Sequence, residues 1–231
     1  MIGRPDDMMN ASEISMNQKR PKYIPALNRS WLTPLYDPAL RYLMREDGFK
    51  RRLLDQANLQ AGERVLDLGC GTGTLTVMAQ RRQPGAEIIG LDGDQQVLEI
   101  ARRKAAKVGI PMIRWDKGFA DQLPYADAHF DKVLSSMMLH HLTLREKSKA
   151  FQEVLRVLKP GGSFHIVDFG RPHDRLMRFI SGYMSRLERT AENFQGKIPG
   201  LLVAAGFSQV EETGFMRSVF GPLSFYGGFR Q

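Results

Sequence analysis

One cysteine, Cys70, stands among 231 residues. That scarcity excludes an internal disulfide and any cysteine-based metal cluster. No uninterrupted apolar run approaches the roughly 20 residues that span a bilayer. The opening segment MIGRPDDMMNASEISMNQKRPK lacks the short apolar core of a secretion signal and is broken by Pro5 and Pro21. A soluble, cytoplasmic chain is therefore expected. Internal repeats are absent too, and no RNA- or DNA-binding signature accompanies the formal net charge of +8. The positive residues are dispersed in pieces such as Lys50-Arg51-Arg52, Arg81-Arg82 and Arg102-Arg103-Lys104, each inside an amphipathic helical pattern. They read as solvated helix faces, with no nucleic-acid partner expected. A peripheral membrane surface or an acidic ligand is what the excess charge leaves open.

What is present is enough apolar residue, 42% of the chain, for one sizeable core. Residues 1–22 read as a disordered tail, polar and without periodicity. Residues 23–60 read as an ordered helical cap, because aromatics among three prolines give way to apolar positions at helical spacing. Residues 61–231 then form the main domain, with 171–197 as an Arg-, Met- and aromatic-rich cap insertion. Apolar runs alternate with helical patterns between Arg64 and Gly170, which argues for an α/β fold with a parallel sheet covered by helices. The strands are RVLDLG, EIIGLD, MIRWD, KVLSSM and SFHIVDF. LTVMAQRR, QVLEIARRKAAKVG and SKAFQEVLRVL are the helices between them, the last stopped at Lys159-Pro160-Gly161-Gly162. IPGLLVAAGF reads as a final helix ending at Gly206, followed by two strands that turn near Gly221-Pro222.

The run Val65-Leu66-Asp67-Leu68-Gly69-Cys70-Gly71-Thr72-Gly73-Thr74 passes from a strand straight into three alternating glycines. A strand, a glycine turn and a helix N-terminus make a concave site lined with backbone N–H groups. The dinucleotide fingerprint is matched only in part, since Thr74 occupies the place of its third small residue. Asp67 lies within an apolar strand, where an unpaired carboxylate is costly, so it should face the loop and accept hydrogen bonds there. About twenty residues on, Asp92 closes the second strand where a carboxylate can take both hydroxyls of a ribose; the alternative is a helix cap, for which Asp94 is better placed.

The set VLDLGCGTG, GLD, LPYADAHFDKV, HHL and VLKPGG, in this order, resembles the class I S-adenosylmethionine-dependent methyltransferases. It is most similar to the small-molecule group typified by ubiquinone and menaquinone biosynthesis C-methyltransferases, over roughly residues 36–229. The resemblance implies a Rossmann-like, doubly wound seven-stranded sheet with an antiparallel last strand, helices on both faces, and S-adenosyl-L-methionine as cofactor. By motif, Gly69, Cys70 and Gly71 would contact the methionine part and Asp92 the ribose, with Gly93 beside it. The family commonly reads G-D-A before L-P-F, its acid meeting the adenine amino group. Here Gly118-Phe119-Ala120 stands there, and Phe119 cannot accept that bond. Adenine would rest on the Ala120 backbone and the Phe119 ring, with Asp121 as a possible helper. Ser135, ending the fourth strand, would line the sulfur end.

Methyl transfer from a sulfonium needs alignment, exclusion of water, and a base only where the acceptor carries a proton. The catalytic candidates are Tyr36, His140, His141 and Asp168. The histidines follow the fourth strand at the ligand edge; one of them serves as base or substrate contact, or else packs as an imidazole closing the turn. Adjacent helical residues do not share a face, so a two-histidine metal site is not expected. Tyr36 either lids the cofactor, gaining a cation–π term of about 0.5–2 kcal/mol, or anchors the cap. Met177, Phe179, Tyr183 and Met184 line an apolar acceptor pocket or belong to the core. The partner is a small-molecule methyl acceptor, apolar, aromatic or lipid-like, and both a monomer and a homodimer remain open. An NAD(P)-dependent oxidoreductase and a non-catalytic S-adenosylmethionine-binding protein are the alternatives.

Overall fold

The computed structural model describes residues 46–187 and 194–231. The tail at 1–22, residues 23–45 of the expected cap, and Tyr36 lie outside them. In chain order the elements are α1 (Glu46–Ala57), β1 (Arg64–Leu68), α2 (Thr74–Arg82), β2 (Glu87–Asp92), α3 (Gln95–Lys107), β3 (Arg114–Lys117), β4 (Phe130–Ser136), α4 (Leu144–Val157), β5 (Leu158–Phe169), α5 (Arg175–Leu187), α6 (Ile198–Ala205), β6 (Ser208–Ser218) and β7 (Gly221–Phe229). The seven strands form one sheet in the order β3-β2-β1-β4-β5-β7-β6. β1 to β5 are mutually parallel, and β7 runs antiparallel to both β5 and β6. Strand order reverses between β1 and β4, and the crevice at the carboxyl ends of such a switch point is where ligands bind in open α/β sheets.

The inner strands carry long apolar runs because both faces are covered. Leu66, Leu68, Phe164 and Ile166 pack on one face with Phe151 and Leu202 from the flanking helices. Val65, Leu134, Val167 and Phe225 pack on the other with Phe49, Leu53 and Leu54 of α1. Each such side chain, fully buried, contributes about 1.5–3 kcal/mol. α1 thus belongs to the layer covering the sheet, although the sequence pattern assigned it to the cap. A third cluster, Leu98, Ala101, Trp115 and Cys70, sits beneath the glycine turn.

Of the boundaries that differ from the sequence expectation, two have a visible cause. α4 starts at Leu144, earlier than SKAFQEVLRVL implies, because Thr143 and Glu146 form a reciprocal capping box. β5 begins at Leu158, so Lys159-Pro160-Gly161-Gly162 lies within the strand instead of before it. The pairing of β5 with β4 shifts between Phe130 and Lys132, and Gly161 takes φ +79°. Across this irregularity Gly161 N–H donates to the Arg230 carbonyl, and Arg230 N–H to the Gly162 carbonyl, each at 2.9 Å. Glycine and proline punctuate a strand here as they do a loop.

Candidate cofactor and active site

The three alternating glycines are all left-handed, Gly69 at φ +72°, Gly71 at +52° and Gly73 at +74°. Any other residue is strained there, but their surroundings differ. A Cβ on Gly69 would stand 2.3 Å from Met138 Cγ, and one on Gly73 2.4 Å from the Trp115 ring. A Cβ on Gly71 would meet no heavy atom of the described residues within 4 Å. Two glycines therefore let the turn pack closely, while Gly71 keeps its concave side clear. Lys104, on α3, fastens the turn by donating to the Thr72 and Thr74 hydroxyls at 2.9 Å each. Sequence reasoning counted Lys104 as a solvated charge; the signal against that was its place three residues after Ala101, a buried position of α3.

Asp92 closes the turn from the neighbouring strand. One carboxylate oxygen accepts Gly71 N–H at 2.9 Å and the other accepts Asp94 N–H at 3.0 Å. Burial raises its pKa from the ordinary carboxylate value, against the pull of these hydrogen bonds. Asp94 caps α3 through Gln96 N–H at 2.7 Å, which leaves Asp92 to the crevice. Asp67 departs from the expectation that it faces the loop. It is 1% exposed and accepts the Thr76 hydroxyl, in the first turn of α2, at 2.6 Å. Burial pushes its pKa up to about 6. Cys70 is buried with the turn, and desolvation raises its thiol far above the usual range.

Phe119 stands over the edge of the crevice beside Gly93, where an added Cβ would lie 2.9 Å from its ring. Ala120 is half-buried against the core. Ser135 pairs in register with Leu68; its hydroxyl is fully buried and meets no hydrogen-bond partner among the described residues. Met137 follows in the left-handed region at φ +55°, a conformation that non-glycine residues hold only where their surroundings enforce it. Nothing in the sequence marked Met137 for it.

Asp168 and His140 form a buried pair. Asp168 is 0% exposed; one oxygen accepts Leu139 N–H at 2.8 Å, the other accepts Phe169 N–H at 2.8 Å and meets His140 Nδ1 at 3.0 Å. Burial opposes its charge, but the attraction and hydrogen bond of His140 hold the carboxyl below the usual range. Both oxygens of Asp168 are thus engaged inside the protein. An ionised carboxylate requires the proton on Nδ1, which leaves Nε2 of a neutral His140 ring as an acceptor. His141 is exposed, with a pKa lowered first by desolvation and then by His140. Leu139–His141 is a 3-10 turn, and the two rings lie 4.0 Å apart between centroids, contrary to the expectation that neighbours diverge. No group of three metal-ligating side chains occurs among the described residues. Of the expected acceptor-pocket residues, Met177 is buried and Phe179 exposed; the side chains of Tyr183 and Met184 lie outside the described set.

A family model described as a methyltransferase domain matches residues 65–162. The demethylmenaquinone methyltransferase of Thermus thermophilus is 33% identical over 202 residues, covering 78% of this chain and 90% of the relative. The ubiquinone/menaquinone biosynthesis C-methyltransferase UbiE of Shewanella sediminis is 30% identical over 188 residues, 71% of this chain and 74% of the relative. Among solved structures, YcgJ of Bacillus subtilis superposes with a TM-score of 0.64 at 20% identity, covering 79% of this chain and 97% of that one, which speaks to the fold. Nothing in these likenesses supports an oxidoreductase. The glycine turn, the acid closing the second strand and these relatives together place the chain: it belongs to the class I S-adenosylmethionine-dependent methyltransferases of the UbiE type.

Proposed function

We propose that this methyltransferase acts on an apolar or aromatic small molecule, with the cofactor lying across the carboxyl ends of β1, β2 and β4. The bound cofactor supplies a methyl group already activated on a sulfonium sulfur. Three features fit it. Gly71 keeps the concave side of the turn clear, Asp92 presents a carboxylate beside it, and Ser135 offers a buried hydroxyl without a described partner at the sulfur end. In this reading Gly69, Cys70 and Gly71 hold the methionine part, Asp92 with Gly93 the ribose, and Phe119 with Ala120 the base. His140 takes a proton from the acceptor at Nε2 where the acceptor carries one, and Asp168 is a positioning residue that sets the ring's tautomer. The single buried thiol suits the cytoplasm, where no oxidising chemistry is imposed on it.

The carboxylate of Asp92 opposite Gly71 N–H carries the assignment. Calorimetry should show S-adenosylhomocysteine binding near ~10⁻⁶ M. Two charge-assisted hydrogen bonds to ribose contribute about 3 kcal/mol together, so Asp92→Ala should weaken binding about 100-fold. Unchanged affinity would overturn the ribose assignment.

Membrane contact is the finer partner reading. On α5, Leu176 and Phe179 are 62% and 77% exposed, and Arg175 and Arg178 are exposed beside them. This combination favours an anionic bilayer surface. Flotation with phosphatidylglycerol vesicles should be salt-sensitive and should fall in Phe179→Ser; recovery of all protein in the unbound fraction at low salt would refute it.

A further inference from the structure

We infer that the hydroxyls of Tyr226 and Ser224 hold an oxygen of the methyl acceptor, and so select acceptors that carry a hydroxyl on their ring. The inference rests on the acceptor reading above. Both residues are fully buried on β7, and neither hydroxyl oxygen completes a hydrogen bond of ordinary geometry with a described residue. A buried hydroxyl left in that state is costly. Were the two to turn toward each other, one proton of the pair would still lack an acceptor.

The sheet register places them at the ligand edge. Ser224 stands opposite Asp168, and Tyr226 opposite Ile166, whose neighbour on its other side is Ser135. Partners in register put their side chains on one face. On that face, elsewhere packed by Leu68, Phe164 and Ile166, the buried hydroxyls of Ser135, Tyr226 and Ser224 therefore collect beside Asp168 and the His140 it holds. The Tyr226 phenol feels the charges of Asp168 and Arg171, which puts its oxygen toward the carboxyl end of β5. Burial raises the phenol pKa, and Ser224 beside it offsets this only in part, so Tyr226 keeps its proton and can donate. A Cβ on Gly170 would stand 1.8 Å from the Ser224 hydroxyl oxygen, so the glycine after β5 leaves that oxygen its place. Tyr226 is two strand spacings, about 10 Å, from Ser135 at the sulfur end. An acceptor lying beyond the sulfur thus meets His140 from the strand between and two hydroxyl donors from β7.

Fluorescence titration of the full chain, saturated with S-adenosylhomocysteine, against 1-naphthol and its isostere 1-methylnaphthalene tests this. The wild type should prefer 1-naphthol by at least ~10-fold, because the methyl compound leaves both buried hydroxyls unmet. Tyr226→Phe and Ser224→Ala should each reduce the preference, and the double variant should bring it below ~3-fold. Calorimetric affinity for S-adenosylhomocysteine should be unchanged in all three variants, which checks their folding. A smaller wild-type preference, or one that stays above ~3-fold in the double variant, overturns the proposal and leaves the hydroxyls to a resident water. If neither aromatic binds while S-adenosylhomocysteine does, the aromatic-acceptor reading falls and the proposal with it. A chain that binds no S-adenosylhomocysteine sinks the cofactor placement on which both rest, a result distinct from a measured preference between two bound aromatics.

Discussion

Asp67 offers the sharpest test of how the site is built, because its carboxylate is buried in a strand with, among the described residues, a single side-chain hydrogen-bond partner, Thr76. Its pKa rises from 3.8 to about 6, chiefly through desolvation. An acid whose folded pKa is raised binds more protons when folded than when unfolded across that window, so its contribution favours folding below pH ~4 and is lost as pH rises through ~6. Complete ionisation therefore costs about 3 kcal/mol at pH 8. Asp67→Asn removes that cost while its carbonyl still accepts the Thr76 hydroxyl; about 1 kcal/mol is returned by burying the amide's hydrogens. The variant should thus be stabler by about 2 kcal/mol at pH 8, which raises Tm by roughly 4–8 °C for a chain of this size. At pH 4.5 the ionisation cost has fallen to about 1 kcal/mol and the advantage should vanish. The wild-type curve alone is not diagnostic. His165, whose pKa is lowered to about 4 by burial, loses stability as pH falls through the same range. The difference between variant and wild type, from thermal melts at both pH values, cancels that background. An Asp67→Asn protein no stabler than wild type at pH 8, or equally advantaged at both pH values, would refute the reasoning.

Two further outcomes follow from the turn and the buried pair. Gly71→Ala should lower Tm by only ~2–8 °C, the left-handed strain of about 1–2 kcal/mol, yet lose most affinity for S-adenosylhomocysteine; Gly73→Ala adds overpacking against Trp115 and should lose about 2–5 kcal/mol of stability by urea titration. The pair should separate binding from folding, and equal effects on both would contradict the geometry. His140→Asn should lower kcat about 100-fold for a proton-bearing acceptor with calorimetric cofactor affinity unchanged, and an unaltered kcat would remove it from the chemistry.

The glycine turn was legible because it is made from backbone. Left-handed φ values at 69, 71 and 73 admit glycine alone without strain, so the geometry is spelled in the residue types. Asp92 was legible for a related reason, since it stands one residue past a buried apolar run, at a strand end whose place follows from the alternation of strands and helices. Asp67 was visible as an anomaly and its partner was not, because Thr76 reaches it only once α2 turns back over β1. Likewise Lys159-Pro160-Gly161-Gly162 reads as a loop, and only the pairing with Arg230 from the far end of the chain makes it strand. Local signals name conformations, whereas partners distant in sequence are chosen by packing.

The same distinction explains why the two histidines are harder to read than the glycines. Their identity was plain, but their roles depend on Asp168, which lies at the end of a different strand and holds Leu139 N–H, Phe169 N–H and His140 together. A carboxylate with that many internal donors stays ionised without solvent, and it fixes the turn after β4 to the end of β5 before any ligand enters. The ring it orients sits in a 3-10 turn, and that turn is pinned to the sheet through the end of β5. In the proposed reading, preorganisation of this kind lets an acceptor meet a base whose tautomer and angle are already set, which is where a methyl transfer with an activated donor gains most from its protein.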